Sequence, residues 1–194
     1  MRAKLLLVLL PALMLTACGG VDLMSSSQIS EPETTSSETI SEPAKENKLV
    51  VDNTNLGGAN LPISPDWNDS DTSSTVRKGT YSIGDSSFSL EFVGKWCAHT
   101  KYGELQTKKD PQSYVRSASD LVITKMVVEV FQADFEVFLT KDHSGTKLTG
   151  KKVDAIHSDG DAYSFDINSA DWSILATETY KGGNINFYSF TFYF

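Results

Sequence analysis

The sequence lacks the features of several functional classes. It has no basic stripe that could neutralise a run of phosphates, so nucleic acid is not an expected partner. No Gly-x-Ser-x-Gly marks a nucleophilic serine, and no Asp-x-Asp-x-Asp-Gly marks an EF-hand calcium loop. Cysteine is limited to Cys18 and Cys97, and no apolar run after Leu15 is long enough to span a membrane as a helix.

The net charge of -8 is unevenly distributed along the chain. Residues 19–75 contain ten acidic residues against two lysines, whereas residues 76–194 contain fifteen acidic and thirteen basic residues. From Val21 to Lys48, Ser, Thr, Glu and Pro dominate, and such a segment cannot bury enough apolar surface to offset its chain entropy. We therefore expect residues 18–75 to form a disordered acidic linker, within which Leu49-Val50-Val51 could form a short strand.

Residues 1–17 have the layout of a secretory signal peptide. Arg2 and Lys4 precede an apolar run from Leu5 to Leu15, which is too short to span a bilayer. The run ends in Leu15-Thr16-Ala17-Cys18, followed by two glycines. This stretch resembles the lipobox of bacterial lipoproteins. The resemblance implies that the Cys18 thiol receives a diacylglyceryl group, that the leader is cut before Cys18, and that the new amino terminus is often acylated as well.

The same resemblance implies an extracytoplasmic protein anchored to a membrane by its lipid. Each buried methylene contributes about 0.8 kcal/mol, so two or three acyl chains bind almost permanently. Gly19, not aspartate, follows the cysteine, which in the Gram-negative lipoprotein family implies the outer membrane. In a Gram-positive cell the anchor would lie on the outer face of the cytoplasmic membrane. With Cys18 lipidated, Cys97 has no disulfide partner in the chain.

Residues 76–194 are predicted to form a β-rich globular domain. Phe88, Leu90 and Phe92 alternate with polar residues, as do the apolar positions of residues 163–167. Eight to ten such segments favour an antiparallel β-sandwich or a small β-barrel. Between them lie predicted turns at Gly84-Asp85-Ser86, Tyr102-Gly103, His143-Ser144-Gly145 and Ser158-Asp159-Gly160-Asp161.

Three segments allow more specific predictions. Asp110-Pro111-Gln112 is typical of a helix start, so one short helix is expected near residues 111–119. The apolar run Leu121–Phe131 is rich in Val and Ile, which favours a largely buried strand over a helix. The clearest predicted hairpin joins Trp172–Tyr180 to Ile185–Phe194 through residues 181–184.

The last predicted strand is the main candidate for ligand binding. Alternate residues from Tyr188 to Phe194 are aromatic and would share one face. The simplest interpretation is a central strand buried on both sides. The functional alternative is an aromatic groove for an apolar ligand or a protein partner, formed by Phe187, Tyr188, Phe190, Phe192, Tyr193 and Phe194.

Metal-binding and catalytic side chains are few and scattered. Cys97 and His99 would point the same way on a strand, but a structural zinc site needs four ligands. Cys97 is expected to be a buried small hydrophobe, and the three histidines to be exposed polar residues. Four aspartates could offer oxygen ligands to calcium, although a solvated hairpin is the expected interpretation: Asp154, Asp159, Asp161 and Asp166. The sequence therefore predicts neither a metal nor a cofactor.

These observations favour a non-enzymatic, lipid-anchored domain that binds a ligand or has a structural role in the cell envelope. One alternative is a surface lipoprotein that captures a ligand or a host protein. Another is a hydrolase that acts on envelope material through carboxylates such as Glu91, Glu129 or Asp166.

Replacement of the predicted lipid-bearing cysteine tests the anchor. Cys18→Ser should abolish incorporation of a palmitate analogue, because the lipobox resemblance makes this thiol the site of lipid attachment. Metabolic labelling of the expressed full chain measures the effect. Cys97→Ser is the matched control and should keep the label. Label retained by Cys18→Ser would refute the anchor.

Overall fold

The computed structural model describes residues 47–63, 75–108, 112–131, 133–178 and 184–194. Cys18, the predicted acidic linker before Asn47 and most of the predicted turn at residues 181–184 lie outside these ranges. The described residues contain no helix long and apolar enough to cross a membrane.

Their secondary structure is entirely β, in thirteen strands. The strands are β1 (Lys48–Asp52), β2 (Thr75–Ile83), β3 (Ser86–Gly94), β4 (Trp96–His99), β5 (Glu104–Lys108), β6 (Tyr114–Ser117), β7 (Ile123–Phe131), β8 (Asp134–Phe138), β9 (Lys147–Leu148), β10 (Lys151–Val153), β11 (Asp161–Ser169), β12 (Ser173–Glu178) and β13 (Asn184–Tyr193).

Two antiparallel sheets pack face to face. The first sheet has the order β10-β11-β7-β13-β5-β4, and β1 also pairs with β13; the second has the order β2-β3-β6-β12-β8-β9. Rings from opposite sheets are in contact: the ring centres of Phe88 and Phe192 lie 5.2 Å apart, and those of Phe92 and Trp96 lie 5.5 Å apart. The fold is therefore a β-sandwich, which confirms one of the two predicted architectures and not the barrel.

The predicted alternation is present in β3. Phe88, Leu90 and Phe92 are fully buried, because side chains on one face of a strand recur at every second residue. The segment from residue 121 to 131 contains β7, as its Val and Ile content predicted. The predicted turns at Gly84-Asp85 and Tyr102-Gly103 connect β2 to β3 and β4 to β5.

Two local predictions are wrong. No helix forms in the described part of residues 111–119, where Tyr114–Ser117 is a strand between β3 and β12. The predicted hairpin near the carboxyl end does not form either, because β12 lies in the second sheet and β13 in the first. Apolar alternation predicts that each segment is a strand but does not specify which strand it pairs with. It therefore does not distinguish a hairpin from a connection between sheets such as the one from β12 to β13.

A β-bulge in β13 sets the orientation of its aromatic residues. Tyr188 has no register partner, whereas Phe187 pairs with Val130 of β7 and Ser189 with Glu129. Because the side-chain period of a strand is two, the extra residue reverses the faces beyond it. Phe187 therefore faces the core together with Phe190, at 5.0 Å between ring centres, instead of Tyr188.

The folded domain begins before the predicted boundary at residue 76. β1 pairs with β13 from Lys48 to Asp52, and residues 53–63, here called the strap, continue along the edges of the sandwich. The N–H of Thr80 in β2 donates to the Gly57 carbonyl at 2.8 Å, and the N–H of Ala98 in β4 donates to the Pro62 carbonyl at 2.9 Å. The strap thus covers strand edges that would otherwise be open.

The strap also contributes to the core, and this gives a matched stability test. Leu61 is 4% exposed, whereas Ile63 is 73% exposed. Leu61→Ala should lower the free energy of unfolding by about 2–5 kcal/mol, the usual cost of truncating a buried leucine. Ile63→Ala should change it by less than about 0.5 kcal/mol. Denaturant unfolding measures both, and equal effects would contradict the packing of the strap.

Candidate functional site

The aromatic strand that the sequence marked as a candidate site is central in the first sheet. Phe187, Phe190 and Phe192 are fully buried in the core between the sheets. Phe194 is partly exposed, with its ring centre 5.1 Å from that of Phe88, and the Nζ of Lys125 lies 3.8 Å from the centre of the Tyr193 ring. Most of these rings therefore fill the interior instead of lining a groove.

An open cleft, here called the edge cleft, lies where β8 and β9 of one sheet meet β11 of the other. Its volume is about 270 Å³. Aromatic and aliphatic side chains line it together with polar groups, which make up about half of its exposed surface: Ala133, Asp134, Phe135, Val137, Lys147, Leu148, Thr149, Gly150, Tyr163 and Phe165.

Three aromatic rings set the shape of the edge cleft. Phe135 is partly exposed and lies edge-on to Tyr163 and Phe165, with both pairs of ring centres 5.9 Å apart. Gly150 passes directly over Phe165: a Cβ atom there would lie 2.6 Å from the ring. A side chain at residue 150 would therefore collide with this wall.

The rim of the edge cleft carries opposed charges. The Nζ of Lys147 lies 2.6 Å from a carboxylate oxygen of Glu136. Both side chains remain well exposed, so the pair contributes little to stability. These two charges neutralise each other, and Asp134 in the lining adds one negative charge.

A second depression, of about 520 Å³, lies on the second sheet. Serine hydroxyls dominate its lining, together with Lys78 and Asp120. It is larger than the edge cleft but offers little apolar surface, so the edge cleft is the better site for desolvating a ligand.

The outer face of the first sheet carries a polar group centred on Tyr188. The phenol donates to Asp159 at 2.8 Å, and its ring stacks on His157 with ring centres 3.8 Å apart. The backbone N–H of His157 donates to Glu129 at 2.6 Å, and its Nδ1 lies 3.0 Å from the same oxygen. Because the Glu129 side chain is only 3% exposed, these bonds to residue 157 stabilise the carboxylate.

The neighbouring β4–β5 hairpin contains a buried polar quartet in which Cys97 is opposite Gln106 and His99 is opposite Glu104. Gln106 donates to Glu104 at 3.2 Å, and burial raises the pKa of Glu104 despite this bond and the nearby His99. Within the described part of the chain, Nδ1 of His99 has no hydrogen-bond partner. His99 is therefore not the exposed residue that was predicted.

Cys97 is buried, as predicted. Burial raises the pKa of its thiol to about 12, against the opposing effect of Lys95 and Lys108. The group therefore remains a protonated thiol near neutrality, which is not the reactive form of cysteine.

A serine–histidine pair on the second sheet does not have the arrangement of a nucleophile and its base. His143 Nδ1 lies 2.7 Å from the hydroxyl of Ser173, but that hydroxyl donates to the Thr140 carbonyl at 2.7 Å. Ser173 is fully buried, so His143 Nδ1 donates to a hydroxyl that substrate cannot reach.

The carboxylates that were candidates for hydrolysis do not come together. Glu91 pairs with Arg116 at 2.7 Å on the second sheet, Asp166 pairs with Lys151 at 3.5 Å on β11, and Glu129 lies beside His157. Asp161 pairs with Lys152 at 2.6 Å, whereas Asp159 accepts from Tyr188. Among the described residues, no three His, Cys, Asp or Glu side chains could hold one metal ion.

The sequence carries a partial signal for the edge cleft. Phe135 and Val137 alternate with charged residues in Asp134–Phe138, and a short Leu148-Thr149-Gly150 segment follows the next turn. Alternation of this kind predicts a strand with one apolar face, but only the tertiary structure shows that this face borders a concavity. The burial of Glu104 and Gln106 has no sequence signal, because polar residues on a strand normally predict an exposed face.

Comparisons with protein-family models, with curated proteins and with solved structures give no match for this chain. Function is therefore inferred from the predicted leader and from the geometry of the described residues.

The raised pKa of Glu104 predicts a pH dependence of folding. The folded chain binds this proton more tightly than the unfolded chain does, so stability falls as pH rises from the ordinary carboxyl pKa, about 4.3, through the raised value. Glu104→Gln should flatten this part of the pH profile, measured by denaturant unfolding. An unaltered slope in Glu104→Gln would contradict the assignment.

Proposed function

We propose that this chain is a lipid-anchored binding protein whose β-sandwich takes an apolar group into the edge cleft. The observation that carries the proposal is the set of three rings, Phe135, Tyr163 and Phe165, around one open concavity. Small-molecule sites are typically concave and largely apolar, with a few polar groups that orient the ligand. Leu148 extends the apolar surface, and Thr149 supplies a hydroxyl at the side.

The size of the edge cleft limits the ligand. A closed apolar cavity of about 150 Å³ accommodates benzene. The edge cleft, at about 270 Å³, has room for a bicyclic ring or for one large side chain. A flat neutral group would extend the edge-to-face packing that Phe135 already makes, and burial of its apolar surface would supply most of the affinity.

The lipobox resemblance supports the tether, with Cys18 as the lipid-bearing residue. Such an anchor would keep the binding domain at the membrane surface. The separation of Glu91, Glu129 and Asp166 favours binding over the alternative of hydrolysis.

Blocking the edge cleft tests the binding proposal. Thr149 is exposed and lines the cleft, so an indole ring in Thr149→Trp can occupy it without altering the core. The variant should lower the affinity for free indole by about tenfold or more, an effect of about 1.4 kcal/mol. Saturation-transfer NMR on the full chain measures this binding.

Thr146→Trp is the matched control for this experiment. Thr146 is also exposed and lies three positions earlier, but it does not line the edge cleft. It should bind indole as the native chain does. Equal binding of indole by the native chain, Thr149→Trp and Thr146→Trp would refute the cleft as a site for small apolar rings. The absence of indole binding by the native chain would refute it as well.

A further inference from the structure

One edge of β8 is only partly covered. β12 pairs with β8 over the whole of Asp134–Phe138, whereas β9 pairs on the other side with Val137 and Phe138 alone. After Leu148 the chain leaves this edge and continues to β10 in the other sheet. The first half of β8 therefore extends beyond the end of its neighbour among the described strands.

The backbone of Phe135 points toward this uncovered edge. The N–H of Leu139 donates to the Thr146 carbonyl at 3.0 Å, on the β9 side. In an antiparallel ladder, alternate residues direct their N–H and C=O groups to the same side, so Val137 and Phe135 face this side too. Val137 is opposite Leu148, but no described strand pairs with Phe135 here. Unpaired backbone groups of this kind are a template for another strand.

The same residue presents an apolar pocket beside its unpaired backbone. The Phe135 side chain forms one wall of the edge cleft, and Thr149 and Gly150 border the cleft where the chain leaves β9. A strand laid against β8 would direct the side chain opposite Phe135 to the same face as the Phe135 ring, because cross-strand neighbours share a face. That side chain would enter the edge cleft.

We propose that the apolar group bound by the edge cleft is a side chain of an extended peptide that pairs with the edge of β8 at Phe135. This inference rests on the proposed function and adds the nature of the partner. Main-chain hydrogen bonds supply part of the affinity and the pocket supplies specificity, as in other cases of strand addition. A free ring fills the pocket but leaves the N–H and C=O of Phe135 unpaired, whereas a peptide satisfies both.

The edge cleft also limits the peptide sequence. Its volume of about 270 Å³ accepts one large aromatic or branched side chain. The next side chains along an extended peptide point to the opposite face and reach solvent. Lys147 is paired with Glu136, so Asp134 leaves the lining with one net negative charge, which disfavours an acidic peptide. A short neutral peptide with an aromatic residue at its amino end meets these requirements.

The test uses three blocked peptides with the full chain. The first is acetyl-Phe-Thr-Thr-amide, whose phenylalanine lies at the amino end because Leu148 already occupies the place opposite Val137. The second carries an N-methyl group on the phenylalanine nitrogen, which would face β8, and the third carries it on the following threonine nitrogen, which would face away. Competition against a fluorescent derivative of the first peptide, followed by anisotropy, measures the affinities.

The first and third peptides should bind alike, and the second should bind about tenfold or more weakly, because it loses one hydrogen bond and places a methyl group against β8. Thr149→Trp should weaken binding of the first peptide, and Thr146→Trp should not. Equal binding of the three peptides, or no binding of any, would overturn the strand-addition proposal.

The indole measurement separates this failure from failure of the proposed function. If indole binds and the Thr149→Trp variant blocks it, while the peptides do not discriminate, the edge cleft is a site for small molecules only. Self-association of the chain gives a further outcome, measured by sedimentation. A dimer that Thr149→Trp dissociates would assign the β8 edge to a second copy and would also overturn the peptide proposal.

Discussion

The packing of the sandwich depends on one extra residue in β13. Tyr188 has no register partner in the ladders with β1, β5 or β7. Before Tyr188, the odd-numbered residues Ile185 and Phe187 face the second sheet. After it, the even-numbered residue Phe190 faces that sheet instead. A regular strand would direct one of these groups outward, where its rings would lose their contacts. The bulge also places the Tyr188 phenol on the outer face, beside His157.

Apolar alternation predicted the class of fold, because Phe88, Leu90 and Phe92 belong to a regular strand with one buried face. It could not predict the bulge, since one additional residue leaves the composition of the segment unchanged. Alternation also does not distinguish strands that pair from strands in opposite sheets. The predicted hairpin of β12 and β13 was wrong for this reason. The packing of the strap could not be predicted, because its glycines and prolines are typical of loops. Leu61 is nevertheless buried.

The candidate site was harder to predict than the fold. The sequence drew attention to the most aromatic strand, yet rings such as Phe190 occur there because a central strand needs apolar groups against the facing sheet. The edge cleft instead uses Phe135 and Tyr163, which belong to strands of ordinary composition. Its concavity lies where the edges of two sheets meet, and it depends on the lack of a side chain at Gly150. Neither feature has a periodic signature.

The position of β1 has a mechanical consequence. Tension on the chain before Lys48, such as the proposed tether would transmit, enters the sandwich through the β1–β13 ladder. β13 holds the central rings of the core, and its Phe187 lies against Phe135 of the edge cleft, with ring centres 5.9 Å apart. A pull from the membrane side and a pull from a partner bound at β8 would therefore act on opposite sides of the same aromatic core. The core would bear the load between them.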